Sequence, residues 1–516
     1  MPAGGGDASA ATRAGWDAGD AATSAASPAS DRREPPSKRR ARSFEGCGNG
    51  PYGQLPPEQS ARELTWTWQR IALGACVLAT SGLVLFFGDS GAALLALMVS
   101  VPFAFGAVIR MLAVAHAVAP GSYGREWATV RTVQDLDLPR YAVLVPLYRE
   151  AHVVPGLVAA LSEIDYPPAR LEVLIVVEEV DLETQASIAG EVMPSHMRMV
   201  VVPDGMPRTK PRAINHALGE TNCDYVVVFD AEDLPEPDQL KRALAVLRSD
   251  PEGIGCVQAC LNVYNSDTCW LTRQFTLEYT ALFDLLLPAL DRFGLVVPLG
   301  GTSNHFPRRV LDEMHGWDAF NVTEDADLGI RLARGGYRVA TFGSTTWEEC
   351  PDRFKVWLGQ RTRWLKGWMQ TWLVHTRRPV KLAAELGWWR FSMLQLLLAN
   401  LVLSPLIHPW FYVLLAGDLI AGRGLGPPEG LLFAGVWWIA AFNVAIGYAL
   451  AVLLGAIAVA RRGWPELMAT ALSVPFYWLA ISFAAYRALY QLVRAPHYWE
   501  KTEHGQRPRP VSTEAI

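Results

Sequence analysis

The chain has 516 residues, of which 51% are hydrophobic and 19% are charged, and its formal net charge is −5. A soluble globular domain carries about 25% charged residues, so apolar sequence must be concentrated in particular segments. So small a net charge argues against a nucleic-acid partner. The seven cysteines form no C-x-x-C pair and no zinc-ligand set, which predicts reduced thiols in a cytosolic compartment.

Residues 1–64 are rich in glycine, alanine, serine and proline and contain a basic cluster at 38–42. They hold too few large apolar side chains to offset the entropy lost by an ordered chain. This segment is therefore predicted to be disordered. No apolar run follows the first residues closely, so no cleaved signal peptide is expected.

Residues 65–118 have the pattern of a transmembrane hairpin. No charged residue lies between Arg70 and Asp89, or between Asp89 and Arg110, which leaves uncharged stretches of 18 and 20 residues. A helix of that length crosses about 30 Å of hydrocarbon. The alternative is a pair of buried helices in a soluble core. The basic cluster at 38–42 predicts a cytosolic N-terminus, and two crossings then return the chain to the cytosol.

From 125 to 378 the composition is that of a soluble domain, and short β-rich runs alternate with helical patterns. Continuous apolar strands joined by crossover helices predict a mainly parallel sheet with both faces covered. Ligands of such sheets bind beyond the carboxyl ends of the strands, which indicates where a site should lie. The predicted strands are Tyr141–Leu147, Leu171–Val177, Met199–Pro203 and Tyr225–Phe229.

The apolar pattern returns in residues 379–495, which are predicted to form further transmembrane or interfacial helices. Pro405 and Pro409 interrupt one of three charge-free stretches, so that stretch is either a broken span or partly interfacial. The total number of crossings therefore stays open between four and six. Residues 496–516 form a C-terminal tail. The three stretches are 391–417, 430–460 and 467–486.

Two acidic motifs stand where such a sheet would hold its ligand. Asp230-Ala231-Glu232-Asp233 directly follows a predicted strand, and carboxylates clustered there favour a divalent cation. The alternative is a solvated acidic turn with Asp233 as the N-cap of a helix. Further along, Thr323-Glu324-Asp325 precedes an apolar-periodic helix, where acidic residues also suit a plain helix N-terminus.

A third motif, Gln360-Arg361-Thr362-Arg363-Trp364, is rich in arginine and tryptophan. One interpretation is an amphipathic interfacial helix whose cations snorkel and whose tryptophans lie at headgroup level. The other interpretation is a functional site. The two are compatible, because one helix can present different residues to the membrane and to a cleft.

The three motifs, in this order and between membrane segments, resemble family 2 glycosyltransferases of the cellulose synthase, hyaluronan synthase and chitin synthase type. Those enzymes share a D-x-D-like motif, T-E-D and Q-x-x-R-W, here Asp230-Ala231-Glu232, Thr323-Glu324-Asp325 and Gln360-x-x-Arg363-Trp364. The resemblance covers about 140–370 and the flanking helices. It implies an α/β GT-A fold, Rossmann-like with a mainly parallel sheet, for a cytosolic domain at 125–378 flanked by transmembrane α-helices.

The resemblance also implies roles for individual residues. Asp325 would be the catalytic base, and Asp230 and Glu232 would hold Mg²⁺ or Mn²⁺ against a donor diphosphate. The implied donor-binding residues are Pro146, Glu150, Glu179, Lys210, Asn215, Gln360 and Arg363. The implied acceptor-binding residues are Gly301, Thr302, Glu324 and Trp364. Trp499 and Thr502 are a candidate gating segment, the alternative being a disordered tail with interfacial aromatic residues.

The resemblance implies an integral, multi-pass protein of the cell (inner) membrane that moves a hexosyl unit from a UDP-sugar onto a growing β-glycan. Transfer would invert the anomeric centre, and elongation would be processive and coupled to export. UDP-glucose is the first expectation for the donor and UDP-N-acetylglucosamine the second.

The alternatives are a non-processive transferase acting on a lipid carrier and, from another class, a catalytically inactive membrane scaffold or transporter. Expected partners are the donor, a glycan or lipid-linked acceptor and the lipid bilayer, with accessory export proteins as further candidates. No nucleic acid is expected.

Overall fold

The computed structural model describes residues 52–119, 138–422 and 426–501. Within these residues an α/β domain lies between one long apolar helical segment and a second group of long helices. The helices are α1 Thr67–Val118, α2 Val154–Ser162, α3 Leu182–Gly190, α4 Lys210–Gly219, α5 Gln239–Ser249, α6 Trp270–Thr280, α7 Leu287–Arg292, α8 Arg308–Glu313, α9 Glu324–Arg334, α10 Phe354–His375, α11 Pro379–Leu386, α12 Trp388–Ile420, α13 Leu431–Arg461 and α14 Val474–Arg494. Short 3₁₀ helices cover Ala151–Val153, Pro168–Arg170 and Pro465–Ser473, and a π-helical segment covers Ala281–Leu286.

A single twisted sheet organises the α/β domain. Its strands are β1 Tyr141–Leu147, β2 Leu171–Glu178, β3 Met197–Val202, β4 Tyr225–Val228, β5 Leu234–Pro235, β6 Ile254–Val263, β7 Asn304–Pro307 and β8 Arg338–Glu348. The spatial order is β3-β2-β1-β4-β7-β6-β8-β5. The first four strands in this order are parallel, whereas β7 runs antiparallel to both of its neighbours, and β6 and β8 are again parallel. The predicted GT-A architecture, a mainly parallel sheet, is confirmed.

The four predicted strands are β1 to β4, with ends that differ by at most two residues. Alternate residues of β1 enter different cores: Ala142 and Leu144 belong to one buried cluster, and Val143 and Val145 belong to another. Both faces of the sheet are therefore covered, which explains why these strands are continuous apolar runs rather than alternating ones. Such burial fixes the carboxyl ends of β1, β2 and β4 at one edge of the domain.

The helix α1 contains a sharp reversal at Gly88, whose φ and ψ are +51° and −129°. A Cβ added to Gly91 would lie 2.0 Å from the carbonyl oxygen of Leu83. Eight residues of straight helix would separate these positions by about 12 Å, so the chain folds back on itself. The first arm exposes nearly all its apolar side chains, as expected of a helix that contacts lipid.

Within the part of the chain that the structure describes, four helical segments are long and apolar enough to cross a membrane. They are Thr67–Val118, Trp388–Ile420, Leu431–Arg461 and Pro465–Arg494. Several of their ends are hydrogen-bonded or ion-paired to the α/β domain. Gln69 at the start of α1 donates to the carbonyl of Leu373 (2.7 Å), and Trp372 of α10 donates to Gln395 near the start of α12 (2.9 Å). Arg462, just after α13, pairs with Asp284 of the domain at 2.6 Å.

The last helix, α14, differs from the others because both its ends lie beside α10. Trp357 donates to the hydroxyl of Tyr477 near the start of α14, at 3.3 Å. Beyond its end, Gln370 donates to the carbonyl of Pro496, at 2.9 Å. The helix therefore runs alongside α10 in the same direction and ends on the side of the molecule where it began.

Residues 52–64 depart from the predicted disorder of 1–64, while 1–51 lie outside the described residues. The segment packs on the α/β domain, where the amide of Gly53 donates to the carbonyl of His315 at 2.8 Å. Composition alone missed this order because the segment is held mainly by polar and backbone hydrogen bonds rather than by an apolar face of its own.

Candidate active site

A cavity of about 650 Å³ opens at the carboxyl ends of β1 and β4, where the topology rule places a ligand. Most of the residues expected from the sequence line it. They are Pro146, Glu150, Lys210, Asp230, Glu232, Gly301, Thr302, Glu324, Asp325, Gln360, Arg363, Trp364 and Trp499. Two expected residues, Glu179 and Asn215, are absent from its lining, and Thr502 lies outside the described residues. The motifs separated in sequence thus share one cleft.

Lys210 connects two walls of the cavity. Its Nζ lies 2.5 Å from Oδ1 of Asp230 and donates to the carbonyl of Gly301 at 2.7 Å. Burial opposes its charge, yet the pKa of Lys210 lies above its usual range because Asp230, Asp325 and Glu324 surround it. The lysine is therefore a fixed cation at the meeting point of the two acidic motifs.

Asp325 lies in the first turn of α9, which begins after Thr323. Burial raises its pKa well above the usual range, and the charges of Glu324 and Asp230 raise it further, against Lys210 and the indole of Trp317. Positive charge added beside this carboxyl would therefore favour its ionised form. Thr323-Glu324-Asp325 is a helix N-terminus, as the plainer interpretation held, but the same turn also faces the cavity.

The first acidic motif is not the start of a helix, because Asp233 leads into β5 rather than capping one. Asp233 is fully buried. Its Oδ2 accepts from the amide of Asp230 (2.7 Å) and from the hydroxyl of Thr302. Its Oδ1 has no hydrogen-bond partner. Burial and the charges of Asp230 and Glu232 raise its pKa well above the usual range. This carboxyl braces the motif against the Gly301-Thr302 loop.

Within residues 52–119, 138–422 and 426–501, no three His, Cys, Asp or Glu side chains are arranged to hold a metal ion. The residues nevertheless suit a divalent cation that takes only some of its ligands from the protein. Mg²⁺ commonly takes one or two carboxylates, with water and substrate phosphate filling its other positions. Asp230 and Glu232 supply that number on the cavity wall, and the raised pKa of Asp233 shows how strongly positive charge would be favoured there.

Glu348 is a site residue that the sequence did not reveal. It ends β8 and lines the cavity. Its pKa is raised well above the usual range by burial and by the charges of Asp233, Glu232 and Asp230. The rule for strand ends would have found it only if β8 had been recognised as a member of the sheet.

On the other side of the cavity, Glu178 lines the wall where its neighbour Glu179 was expected. Successive residues of a strand point to opposite faces, so Glu178 at the end of β2 faces the cavity while Glu179 accepts from the amide of Asp204 at 2.8 Å. Both carboxylate oxygens of Glu178 accept from Arg212, at 3.0 and 2.9 Å. Glu178, held by Arg212 behind it, is therefore the carboxylate that lines the cavity here.

Asn215 was expected to contact the donor, but it does not line the cavity. Its amide nitrogen donates to the carbonyl of Trp317 (2.8 Å), and its amide oxygen accepts from the amide of the same residue (2.9 Å). Both polar atoms of the Asn215 amide are therefore engaged by the loop 315–318, which contacts α9 through Arg331 and the carbonyl of Gly316.

The Q-x-x-R-W motif lies on α10, and its spacing of three and four residues puts Gln360, Arg363 and Trp364 on one helical face. All three line the cavity. Trp364 stacks with Tyr279, the ring planes being 12° apart and the centroids 6.2 Å apart. This parallel pair forms an aromatic wall suited to the apolar face of a sugar.

Arg361 belongs to the same helix but points elsewhere. Its guanidinium pairs with Glu278 at 2.6 Å and lies 4.6 Å from the ring centroids of both Phe275 and Trp364. It therefore joins α10 to α6 and packs against Trp364 of the aromatic wall. The motif is therefore both an Arg- and Trp-rich helix packed along α14 and a wall of the cavity.

The C-terminal tail lies across the cavity mouth. The guanidinium of Arg363 is 5.0 Å from the ring centroid of Trp499. Lys501 donates to the carbonyl of Arg149 at 2.9 Å and pairs with Glu150 at 3.4 Å. The described part of the tail, which ends at Lys501, therefore contacts the cavity wall, and Trp499 is one of the lining residues.

Residues 139–367 match the family model described as glycosyltransferase like family 2. A protein named probable glycosyltransferase YdaM, from Bacillus subtilis (strain 168), is 30% identical over 235 residues, which are 45% of this chain and 56% of that protein. Glucomannan 4-beta-mannosyltransferase 2 from Arabidopsis thaliana is 25% identical over 239 residues, 45% of either chain. The aligned region therefore spans about half the length of these relatives.

Among solved structures, the mannosyltransferase PcManGT from Pyrobaculum calidifontis, in complex with GDP-Man and Mn²⁺, is similar to this chain with a TM-score of 0.44 and 19% identity. The similarity covers 77% of this chain and 98% of that one.

If Asp230 is a metal ligand, Asp230→Asn should weaken Mn²⁺ binding by at least about tenfold, which corresponds to about 1.4 kcal/mol. Isothermal titration of the full chain with MnCl₂ and a nucleoside diphosphate measures this. The control is Asp267→Asn, an exposed aspartate outside the cavity, which should bind as the parent does. Equal affinity in both variants would move the cation away from Asp230.

Proposed function

We propose, since residues 139–367 form a family 2 glycosyltransferase domain, that this chain transfers a hexosyl unit from a nucleoside-diphosphate sugar to a glycan acceptor with inversion at the anomeric carbon. The observation that supports this most is the meeting of Asp325, Asp230 and Glu232 in one cavity, beside the aromatic wall of Trp364. One base and one charge-neutralising site are what a single displacement requires.

In the proposed reaction, the Asp325 carboxylate takes the proton of the acceptor hydroxyl as its oxygen bonds to the anomeric carbon. The bond between that carbon and the diphosphate breaks on the opposite face, which inverts the configuration. Arg363 can donate two parallel hydrogen bonds to the leaving diphosphate. A divalent cation held by Asp230 and Glu232 would neutralise the same leaving group.

The electrostatics of the cavity support this division of roles. Asp325 must be ionised to act as a base, and its pKa is raised by burial and then by its acidic neighbours. Positive charge added beside Asp230 offsets part of that repulsion and favours the ionised form. The base would therefore become active when the cavity is loaded, which limits reaction with an incomplete set of ligands.

For the donor, UDP-glucose and UDP-N-acetylglucosamine remain our expectations, and a mannosyl donor now stands beside them. The reason is that plant relatives over the aligned region are named glucomannan 4-beta-mannosyltransferases. For the acceptor we favour a growing glycan, because the aromatic wall adjoins helices of the apolar group. Transfer to a lipid carrier is the second candidate, since the same apolar surroundings suit a lipid-linked sugar.

For the membrane, we propose four crossings with the catalytic domain in the cytosol of a cell-membrane protein. The two arms of α1 account for two crossings, and α12 and α13 for one each. The helix α14 would lie at the interface with α10, since both of its ends contact the domain side. This arrangement leaves Arg461 and Arg462 on the cytosolic side, as the positive-inside rule favours, and it leaves Trp499 at the cavity.

Asp325→Asn should lower turnover by about 10³-fold, within the range expected for loss of a general base, while donor affinity changes less than about threefold. Turnover is measured as nucleoside diphosphate release and affinity by titration of the same preparation. Asp267→Asn should keep both values. Turnover above about a tenth of the parent's would exclude Asp325 as the base.

The function itself is tested by incubating membranes that contain the chain with radiolabelled UDP-glucose, UDP-N-acetylglucosamine or GDP-mannose. One donor should give label in a glycan, with β-linkages in linkage analysis and a size distribution that grows with time if transfer is processive. Label confined to solvent-extractable lipid would favour the lipid-carrier alternative. No transfer from any nucleotide sugar, with a folded protein, would contradict the proposal.

The four-crossing arrangement predicts opposite accessibility for two exposed positions. Cysteine at Glu429, between α12 and α13, should react with a membrane-impermeant maleimide in intact cells. Cysteine at Glu466, between α13 and α14, should react only after the membrane is opened. The parent chain gives the background of native cysteines. Labelling of both positions from outside would contradict the proposed path.

A further inference from the structure

The segment 52–63, which we call the N-terminal strap, lies between the described start of the chain and the membrane helix α1. We propose that the strap is a positioning element for catalysis, which holds the loop 315–318 against α9, the helix that carries Asp325. The geometric link is Arg331 of α9, which donates to the carbonyl of Gly316 at 2.9 Å. This inference rests on the proposed role of Asp325.

The first attachment of the strap is to α8, immediately before the loop. The hydroxyl of Tyr52 donates to Asp312 at 2.5 Å and accepts from Arg308 at 2.6 Å. The same arginine lies over the Tyr52 ring, with its Cζ 5.3 Å from the centroid. One tyrosine thereby joins both members of an ion pair on α8.

The second attachment is to a turn with an unfavourable backbone conformation. His315 and Gly316 are both left-handed, with φ of +56° and +70°, and a non-glycine residue keeps that conformation only where its surroundings hold it. The amide of Gly53 donates to the carbonyl of His315 at 2.8 Å. The strap thus contributes directly to the restraint that this turn requires.

The strap and the loop close together around the side chain of Asn215. A Cβ on Gly53 would lie 2.6 Å from the amide nitrogen of Asn215, and a Cβ on Gly316 would lie 2.2 Å from its amide oxygen. Only glycine fits at either point. The enclosed amide hydrogen-bonds to both the N–H and the C=O of Trp317, so the position of the strap is transmitted to the backbone of the loop.

The third attachment is to Asp318, which follows Trp317 and is fully buried. It accepts from the amide of Ala61 at 2.5 Å and from the hydroxyl of Ser60 at 3.1 Å. Burial raises the pKa of Asp318 to about 6, and the amides of Ala61 and Phe320 act against that rise. Two groups from the strap therefore satisfy a carboxylate that the loop itself buries.

The far end of the strap is fixed to the membrane-proximal helix. Arg377, just beyond α10, donates to the carbonyls of Pro57 (2.6 Å) and Ser60 (2.8 Å) and lies 5.6 Å from the ring centroid of Trp66. A continuous path of contacts thus leads from the start of α1 through the strap to the loop 315–318 and, by way of Arg331, to α9, which carries Asp325. Residues that touch no ligand would set the environment of the base.

The test is Gly53→Ala, which adds one methyl group against Asn215. The matched control is Gly463→Ala, because Gly463 has nearly the same left-handed φ (+81° against +83°) but nothing within 4 Å of an added Cβ. Both variants therefore carry the same backbone strain, and only Gly53→Ala pushes on the loop.

We expect Gly53→Ala to lower kcat at least about tenfold with donor KM changed less than about threefold. Amide hydrogen exchange should quicken in the peptide covering 313–325 and stay unchanged in β1 and β2. Gly463→Ala should match the parent in both measurements. Tyr52→Phe, which removes only the two hydroxyl hydrogen bonds, should shift kcat and exchange in the same direction by a smaller amount.

Parental kcat and exchange in Gly53→Ala would overturn the proposal, and so would faster exchange throughout the domain, which indicates general destabilisation. The role of Asp325 is judged separately by Asp325→Asn in the same assay. An inactive Asp325→Asn together with a fully active Gly53→Ala would refute the strap alone. An active Asp325→Asn would instead refute the proposed base.

Discussion

The burial of several carboxyl groups around one cavity is the constraint on which the remaining structure depends. Asp233, Asp325 and Glu348 have pKa values far above their usual range, because burial and mutual repulsion both oppose ionisation. Lys210 is the fixed cation at their centre. Such an arrangement costs free energy, and a divalent cation beside Asp230 would offset part of that cost. Rigid strands and a left-handed loop keep the groups together despite that cost.

Much of this arrangement could be predicted from the sequence because it is local. The strands β1 to β4 are apolar runs, and thirteen expected site residues line one cavity. What could not be predicted depends on packing between distant segments. Glu178 rather than Glu179 faces the cavity because of the phase of one strand, and Asn215 turns to Trp317 because a loop a hundred residues away meets its helix. Glu348 could have been predicted as a site residue only if β8 had been recognised as a strand of the sheet.

The apolar helices do more than anchor the α/β domain. The helix α10 carries Gln360, Arg363 and Trp364 on the cavity face, while Arg361 on another face pairs with Glu278 inside an aromatic cage. The helix α14 packs along α10, and the tail that follows it brings Trp499 to Arg363. Movement of α14 would therefore reach Arg363 on the cavity wall directly.

The central claim is that two distant acidic motifs serve one reacting centre. It is tested most directly by locating Mn²⁺ and a bound donor analogue in an experimental structure of the full chain, using the anomalous signal of the metal. The account predicts a single Mn²⁺ in contact with Asp230 and Glu232, with the anomeric carbon of the donor between it and Asp325. A metal bound elsewhere, or a donor whose anomeric carbon faces away from Asp325, would contradict it.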